Sequence, residues 1–364
     1  MSGSSATGVA VPDADIRRAL AETLVVVPTL NEAAGIRTLL RQLVRTCPGA
    51  LVVVADGGST DDTVALAEAA TADAPNGAVR VIHNPARLQA AAVNLAVARF
   101  GGGRRWLVRI DAHCLYPDDY VAALLREALR TGADSVVVAM RTVGRNGVQA
   151  ANAAAQNSRL GNGGSAHRNA EDPAGSRGKP QWVDHGHHAL MRMDAFRAAG
   201  GYDETFTHNE DAELDLRLRH RGGRILLTRE TLATYFPRAT LTALSRQYLG
   251  YGRGRARTML KHRVRPRLRQ VLPLAVPPAL GLAALAPVAG SLGAPFLLAA
   301  PLALPALAWA GACALGGAAI ALRAGRPALA LSGLSAMIMH GAWATGFLAE
   351  LAAPKRPQAL KVPA

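Results

Sequence analysis

The sequence predicts an α/β domain with a mainly parallel sheet, followed by a group of transmembrane helices. Three observations carry this. Short β-branched apolar runs alternate with helix-patterned segments from Thr23 to about residue 140, the rhythm of strand, crossover helix and strand. Polar residues gather at the carboxyl ends of those runs, where an open parallel sheet binds its ligands. From Val271 the chain changes solvent: residues 271–322 hold no charged side chain, and residues 327–349 form a second such stretch.

Thr23–Leu30, rich in valine, is the first buried strand, and Asn31-Glu32 open a helix running to about Arg45. Leu51–Ala55 is the second strand, closed by Asp56-Gly-Gly-Ser-Thr-Asp-Asp62 and a further helix. Val79–Asn84 is the third, followed by an alanine-rich helix over 88–99. Trp106–Asp111 and Ser135–Met140 are the fourth and fifth, separated by a helix after Pro117. Residues 160–181 break the rhythm with Gly, Asn, Ser and Pro, the composition of a mobile segment over a cleft. A strand near Ala189–Met193, a short helix from Asp194 ended by Gly200-Gly201, a charged helix over 208–219 and a strand at Arg224–Thr228 complete the domain. A helix from about Thr240 to His262 follows a Tyr235-Phe236-Pro237 turn. The expected organisation is a disordered leader over 1–22, a catalytic-type domain over 23–265, a membrane domain over 266–352 and a basic tail over 353–364.

Composition excludes several classes. The net charge is +15, with its clearest cluster between Arg253 and Arg269. That cluster abuts the apolar region, as cytoplasmic charge flanking a membrane does. Only 4% of residues are aromatic and no nucleic-acid motif is present, so a nucleic-acid partner is not expected. Three scattered cysteines form neither a zinc pattern nor a disulfide framework. The N-terminus lacks an apolar core behind a basic start, so no secretory signal is read and the soluble part is expected in the cytoplasm. The apolar stretches are long enough for three spans of roughly 20 residues, with a break near Gly290–Pro295. Three spans starting inside would leave Lys355, Arg356 and Lys361 outside, against the positive-inside rule, so the alternative is that one segment lies on the surface or re-enters.

Candidate chemistry lies in four places. Asp56-Gly57-Gly58 is either a plain strand-to-helix turn with Ser59 as cap, or a turn that lets a nucleotide approach the backbone. Asp111 and His113, two apart, would point the same way in extended backbone and suit Mn²⁺ or Mg²⁺. Trp182–His188 carries His185, His187 and His188, expected as a wall against substrate or partly as support for the strand that follows. In His208–Arg219, Asn209, Glu210 and Asp211 either cap a helix or supply a catalytic carboxylate, with Asp215 and Arg219 as an i,i+4 pair. No Gly-x-Gly-x-x-Gly follows the first strand and no phosphate-loop lysine is present.

Taken in order, these residues resemble the family-2 inverting glycosyltransferases, whose GT-A fold binds a nucleotide sugar on a Rossmann-like sheet. The resemblance covers about residues 23–265. Val25–Glu32, with Pro28, Asn31 and Glu32, resembles the family's opening strand and nucleotide contact. Asp56, Gly57 and Asp61 resemble its second nucleotide-binding turn, and Arg87 is placed with them. Asp111-Ala-His113 stands where the family has Asp-x-Asp, His113 replacing the second aspartate. Gly200–Glu204 followed by Asn209-Glu210-Asp211 resembles the acceptor region and the catalytic Glu-Asp. The histidine run and apolar tail most resemble the succinoglycan-biosynthesis (ExoA-like) glucosyltransferases.

The resemblance implies Asp211 as general base with Glu210 beside it, and a divalent cation at Asp111 and His113. It also implies a UDP-glucose donor and a lipid-linked saccharide acceptor. Processive relatives carry Gln-x-x-Arg-Trp on a later helix. Here Gln247 is followed by Gly250 and Tyr251, which implies addition of single sugars, with Gln247 and Tyr251 near the acceptor. A polyprenyl-phosphate sugar synthase, a catalytically dead membrane scaffold and a nucleotidyltransferase are the competing readings. Retention of Asp56, Asp111 and Asp211 opposes the scaffold.

Overall fold

The structure is a computed structural model that describes residues 11–165, 179–266, 268–292, 295 and 299–353. The chain divides into two compact units, Met1–Pro237 and Arg238–Ala364.

The first unit begins with helix α1 (Asp13–Ala21), not with a leader running to residue 22. Ile16, Ala19 and Leu20 form an i, i+3, i+4 stripe buried in the main core, and Asp13 and Asp15 suit the helix's positive end. The part of the expected leader before Val11, the 166–178 portion of the expected mobile loop, and the expected basic tail from residue 354 lie outside the described residues.

The remaining elements follow in order: β1 (Thr23–Thr29), α2 (Ile36–Thr46), β2 (Leu51–Asp56), α3 (Thr63–Asp73), β3 (Val79–His83), α4 (Gln89–Phe100), β4 (Trp106–Arg109), β5 (Cys114–Leu115) and α5 (Tyr120–Thr131). Then come β6 (Ser135–Thr142), α6 (Gly147–Asn157), α7 (Arg159–Asn162), β7 (Gln181–Val183), β8 (His187–Arg192), α8 (Met193–Ala198), α9 (Glu210–His220) and β9 (Ile225–Tyr235). They build one sheet of order β3-β2-β1-β4-β8-β6-β9-β5, with β7 paired to β9.

The parallel expectation describes β3-β2-β1-β4 well. Beyond β4 the sheet is mixed: β8 runs antiparallel to both β4 and β6, while β6 and β9 are parallel. Apolar residues on both faces of β1 and β2 are buried, with Val25 and Val27 in one core and Leu24 and Val26 in another. That double burial is why these strands read as unbroken apolar runs. Pro28 is tolerated within β1 because β4 pairs only as far as Val26, so no neighbour there needs its missing N–H. β4 ends at Arg109, where the parallel and mixed halves of the sheet meet.

The second unit starts with α10 (Leu241–His262), capped by Thr240, whose hydroxyl accepts from the Ala243 N–H at 3.1 Å. Its Gly252 would place a Cβ 2.0 Å from the Trp343 carbonyl, and Gly346 would place one 2.1 Å from the Leu249 carbonyl. Two backbones therefore cross at van der Waals contact, and helix Ser332–Ala352 lies against α10. Arg257 pairs with Glu350 at 3.3 Å across this crossing.

Among the described residues, two helical segments are long and apolar enough to cross a membrane, Leu272–Ser291 and Ala300–Ala324. Two of the three expected spans are thus candidates by length and composition. Ser332–Ala352 carries His340 and Glu350, with Gly346 against Leu249 of α10 and Gly333 against Cys313 of Ala300–Ala324.

Candidate active site

Two loops at the carboxyl ends of β1 and β2 are laced together. Asn31, held at φ 59°, donates its N–H to Ser59 Oγ (2.8 Å) and accepts from the Thr60 N–H (2.8 Å). Glu32 N–H donates to Thr63 Oγ1 (2.7 Å), and Ala33 N–H to Asp61 Oδ2 (3.1 Å). These bonds occupy the backbone that was expected to begin a helix at Asn31, so α2 starts only at Ile36.

Asp56 is buried beneath the second loop. It accepts from Gly58 N–H (2.8 Å), Ser59 N–H (2.9 Å), Ser59 Oγ (2.5 Å) and Thr29 Oγ1 (3.2 Å). Burial pushes its carboxyl up, but these donors outweigh it and hold the group below its ordinary value. Ser59 is therefore tied to Asp56 and Asn31 rather than capping α3, whose N-cap is Asp62. A Cβ on Gly57 would lie 3.4 Å from both Thr29 O and Arg87 Cα. Pro28, Asn31, Glu32, Asp56, Gly57, Asp61 and Arg87 thus come from three adjacent loop ends, with Arg87 at φ 58°.

Asp111 follows β4. Its Oδ1 accepts from Gln89 Nε2 (2.7 Å), at the start of α4, and its Oδ2 lies 3.6 Å from His187 Nε2. The Tyr116 hydroxyl holds the Asp111 N–H at 2.9 Å. His113 does not align with Asp111 along a strand, because β4 has ended and residues 112–113 turn. The turn nevertheless brings ligand atoms of Asp111, His113 and Cys114 within 4.8 Å of one another. Burial pushes the Cys114 thiol up to about 12, so it stays protonated. A carboxylate and an imidazole remain, a donor set that fits Mn²⁺ or Mg²⁺. His113 Nδ1 also lies 3.1 Å from Glu32 Oε1, joining this turn to the first loop.

At the first turn of α9, Asp211 meets Arg109 at the end of β4. Asn209 sits at φ 68° and makes no side-chain cap bond, so the simple capping reading does not describe it. The expected Asp215–Arg219 pair is not the one formed. Glu213 pairs with Arg217 at 2.7 Å, and Asp215 points fully inward.

Arg109, the last residue of β4, gathers the carboxylates. Its guanidinium donates to Asp211 at 2.6 and 3.2 Å, and lies 3.3 Å from Asp111 and 3.8 Å from Glu210. Burial alone would disfavour this cation, but Asp211 and Asp111 hold its pKa well above the ordinary value. Asp211, half-buried, is held well below the usual carboxylate range by Arg109 and His188, against the upward push of desolvation. Glu210 is pushed up to about 7 by burial and by Asp211. Neighbouring carboxylates have thus been driven apart.

The histidine run divides. His187 stands between Asp111 and Asp211, 4.0 Å from the latter. His185 pairs with Asp184 at 3.0 Å. His188 is buried and cannot meet an acceptor; it lies between Asp215 (2.8 Å) and the Tyr202 hydroxyl (2.6 Å). Gln247 and Tyr251 belong to the second unit, where Gln247 donates to the Tyr251 hydroxyl at 3.0 Å. Sequence reasoning missed Arg109, Gln89, Tyr202 and the inward role of Asp215. An arginine inside the apolar run Trp106–Ile110 was the available signal, since a charge so placed must be paired.

A parallel nucleotide-type half-sheet joined to a mixed half, with carboxylates at the junction, defines a sugar transferase of the GT-A fold. Residues 24–200 match the glycosyl transferase family 2 profile. The chain is 50% identical over 331 residues to the succinoglycan biosynthesis protein ExoA of Rhizobium meliloti, covering 90% of this chain and 94% of that one. The chain belongs to glycosyltransferase family 2. A polyprenol monophosphomannose synthase of Mycolicibacterium smegmatis is 34% identical over 118 residues, 32% of this chain and 43% of that one. Among solved structures, the mannosyltransferase PcManGT of Pyrobaculum calidifontis, in complex with GDP-Man and Mn²⁺, matches with a TM-score of 0.53. It is 20% identical, covering 91% of this chain and 87% of that one, and supports the fold.

Proposed function

We propose that this glycosyltransferase is a membrane-anchored inverting enzyme that adds one sugar, glucose from UDP-glucose, to a lipid-linked saccharide in exopolysaccharide synthesis. The observation that carries this reading is Asp211, held by Arg109 beside Asp111 at the carboxyl end of β4. The likeness to ExoA, named for succinoglycan biosynthesis, supports the place in exopolysaccharide synthesis.

In this reading the laced loops at Asn31, Asp56 and Asp61 bind the nucleotide, with Glu32, Gly57, Pro28 and Arg87 around it. Asp111 and His113 would hold Mn²⁺ or Mg²⁺, which when bound supplies positive charge for the departing diphosphate. Asp211 takes the proton of the acceptor hydroxyl as that oxygen bonds to the anomeric carbon and the diphosphate leaves with its electron pair. Glu210 supports it as a neighbouring carboxyl with raised proton affinity. General-base help of this kind is worth about 10²–10⁴-fold.

The test is a screen of nucleotide sugars for transfer in native membranes. Asp211→Asn is expected to bind nucleotide but lose transfer by at least about 10²-fold, and Glu210→Gln to lose less than about tenfold. An active Asp211→Asn would remove it from the role. Chelation of divalent cations is expected to abolish transfer, restored by Mn²⁺ or Mg²⁺, and turnover persisting under chelation would contradict the cation. The partial match to a polyprenol monophosphomannose synthase makes polyprenyl phosphate the second acceptor to assay. Its use in place of a glycosylated lipid diphosphate would favour that reading.

A further inference from the structure

Behind Asp211 lies a line of buried polar groups that the transfer step does not itself require. Asp215, one helical turn after Asp211, is fully buried and accepts from the Gly186 N–H at 3.1 Å. Its other oxygen meets His188 Nε2 at 2.8 Å. His188 Nδ1 lies 2.6 Å from the Tyr202 hydroxyl, which in turn donates to Asp211 Oδ1 at 3.2 Å.

The groups facing His188 are Asp215 and Asp211 from α9 and Tyr202 from the loop after α8, with Val137 opposite it on β6. Arg109 of β4 reaches the same Tyr202 oxygen at 3.2 Å. A carboxylate can only accept, so Nε2 donates to Asp215. Burial disfavours the His188 charge, but Asp215 and Asp211 outweigh it and hold the pKa at about 10, so Nδ1 also donates. The directions then run one way, from His188 through Tyr202 to Asp211.

The two oxygens of Asp211 are unequal. Oδ1 accepts from Arg109 (2.6 Å) and Tyr202 (3.2 Å), with His188 Nδ1 also at 3.2 Å. Oδ2 accepts from Arg109 at 3.2 Å and has His187 at 4.0 Å. We infer that Asp215, His188 and Tyr202 are positioning residues that fix Asp211 through Oδ1 and leave Oδ2 to take the acceptor's proton. This rests on the reading of Asp211 as base. The chain also accounts for the local sequence. Gly186 permits the approach, since a Cβ there would lie 2.4 Å from Val137. Tyr202 is fixed from behind by Asn94, which accepts from its N–H (2.9 Å) and donates to its carbonyl (2.8 Å).

The experiment compares Tyr202→Phe, His188→Gln, their double variant and Asp211→Asn in the full-length membrane enzyme. It measures kcat, KM for the donor and the pH dependence of kcat. Removing a donor from Oδ1 raises the carboxylate's proton affinity. Tyr202→Phe and His188→Gln are therefore expected to lower kcat about tenfold or more, with donor KM unchanged. The acid limb should move up by about one pH unit. The double variant should be no worse than the worse single one, because both interrupt one chain. An unmoved acid limb in both single variants, with Asp211→Asn inactive, overturns this inference alone. An active Asp211→Asn overturns the base assignment itself.

Discussion

At the residue scale, Arg109 decides how the site can hold three carboxylates. Its guanidinium is buried beside Asp111, Glu210 and Asp211, and removing such a cation strands charge in low dielectric. The protonation balance there also makes stability depend on pH. His188 titrates at about 10 when folded against an ordinary 6.5, so the folded chain binds more protons across that window. Its stabilisation is complete below about 6.5 and is lost as pH rises through about 10. Glu210, raised from 4.5 to about 7, acts with the same sign in a lower window. Asp211 is opposite: its contribution is present above its ordinary 3.8 and is lost as pH falls through its lowered folded value. We therefore expect the urea midpoint to fall between pH 6 and pH 10, and the fall to flatten in His188→Gln. An equal fall in that variant would assign the loss to other groups.

At the element scale, β8 pairs antiparallel with β6, and the turn before β8 packs tightly against it. Gly186 is where they come closest, since a Cβ there would meet Val137 side-chain atoms at 2.4 and 2.7 Å. Gly186→Ala should destabilise the fold by about 1–3 kcal/mol and lower transfer by withdrawing the N–H from Asp215. Urea denaturation and a transfer assay check both, and an alanine variant with unchanged stability would show that the turn yields freely.

The same region shows what the sequence could and could not reveal. The alternation of strands and helices, and the polar residues after β1, β2 and β4, were legible because local pattern determines them. α1 was missed because its polar first residues hide a short apolar stripe. β9 was read too short because its pairing with β6 shifts register after Val138 and then continues to Tyr235. Asp211 and Asp111 could be singled out by order and spacing. Their link through Arg109 could not, because Arg109 and Asp211 are 102 residues apart and meet only when β4 and α9 come together.

At the scale of the whole molecule, an arrangement with two spans would reconcile the charge distribution with a membrane. Three spans from an inside start put the basic residues 355, 356 and 361 outside, where the positive-inside rule disfavours them. Two spans, Leu272–Ser291 and Ala300–Ala324, return the chain to its starting side. Many of their leucines, including Leu280, Leu285, Leu307 and Leu315, are exposed and suited to lipid. Ser332–Ala352 instead sets Gly346 against Leu249 of α10 and Gly333 against Cys313 of the second span, and pairs its Glu350 with Arg257. A helix committed to an arginine-bearing partner is a poor candidate to leave it for hydrocarbon, where an unpaired charge costs about 2.5–3.5 kcal/mol or more. With two spans, Arg265 before the first and Arg326 after the second would fall on one side, the side from which Ser332–Ala352 continues. A green fluorescent protein fused to the C-terminus is therefore expected to fluoresce in intact cells, and an alkaline phosphatase fused there to be inactive. The reverse pair of signals would restore a third crossing and require Ser332–Ala352 to part from α10.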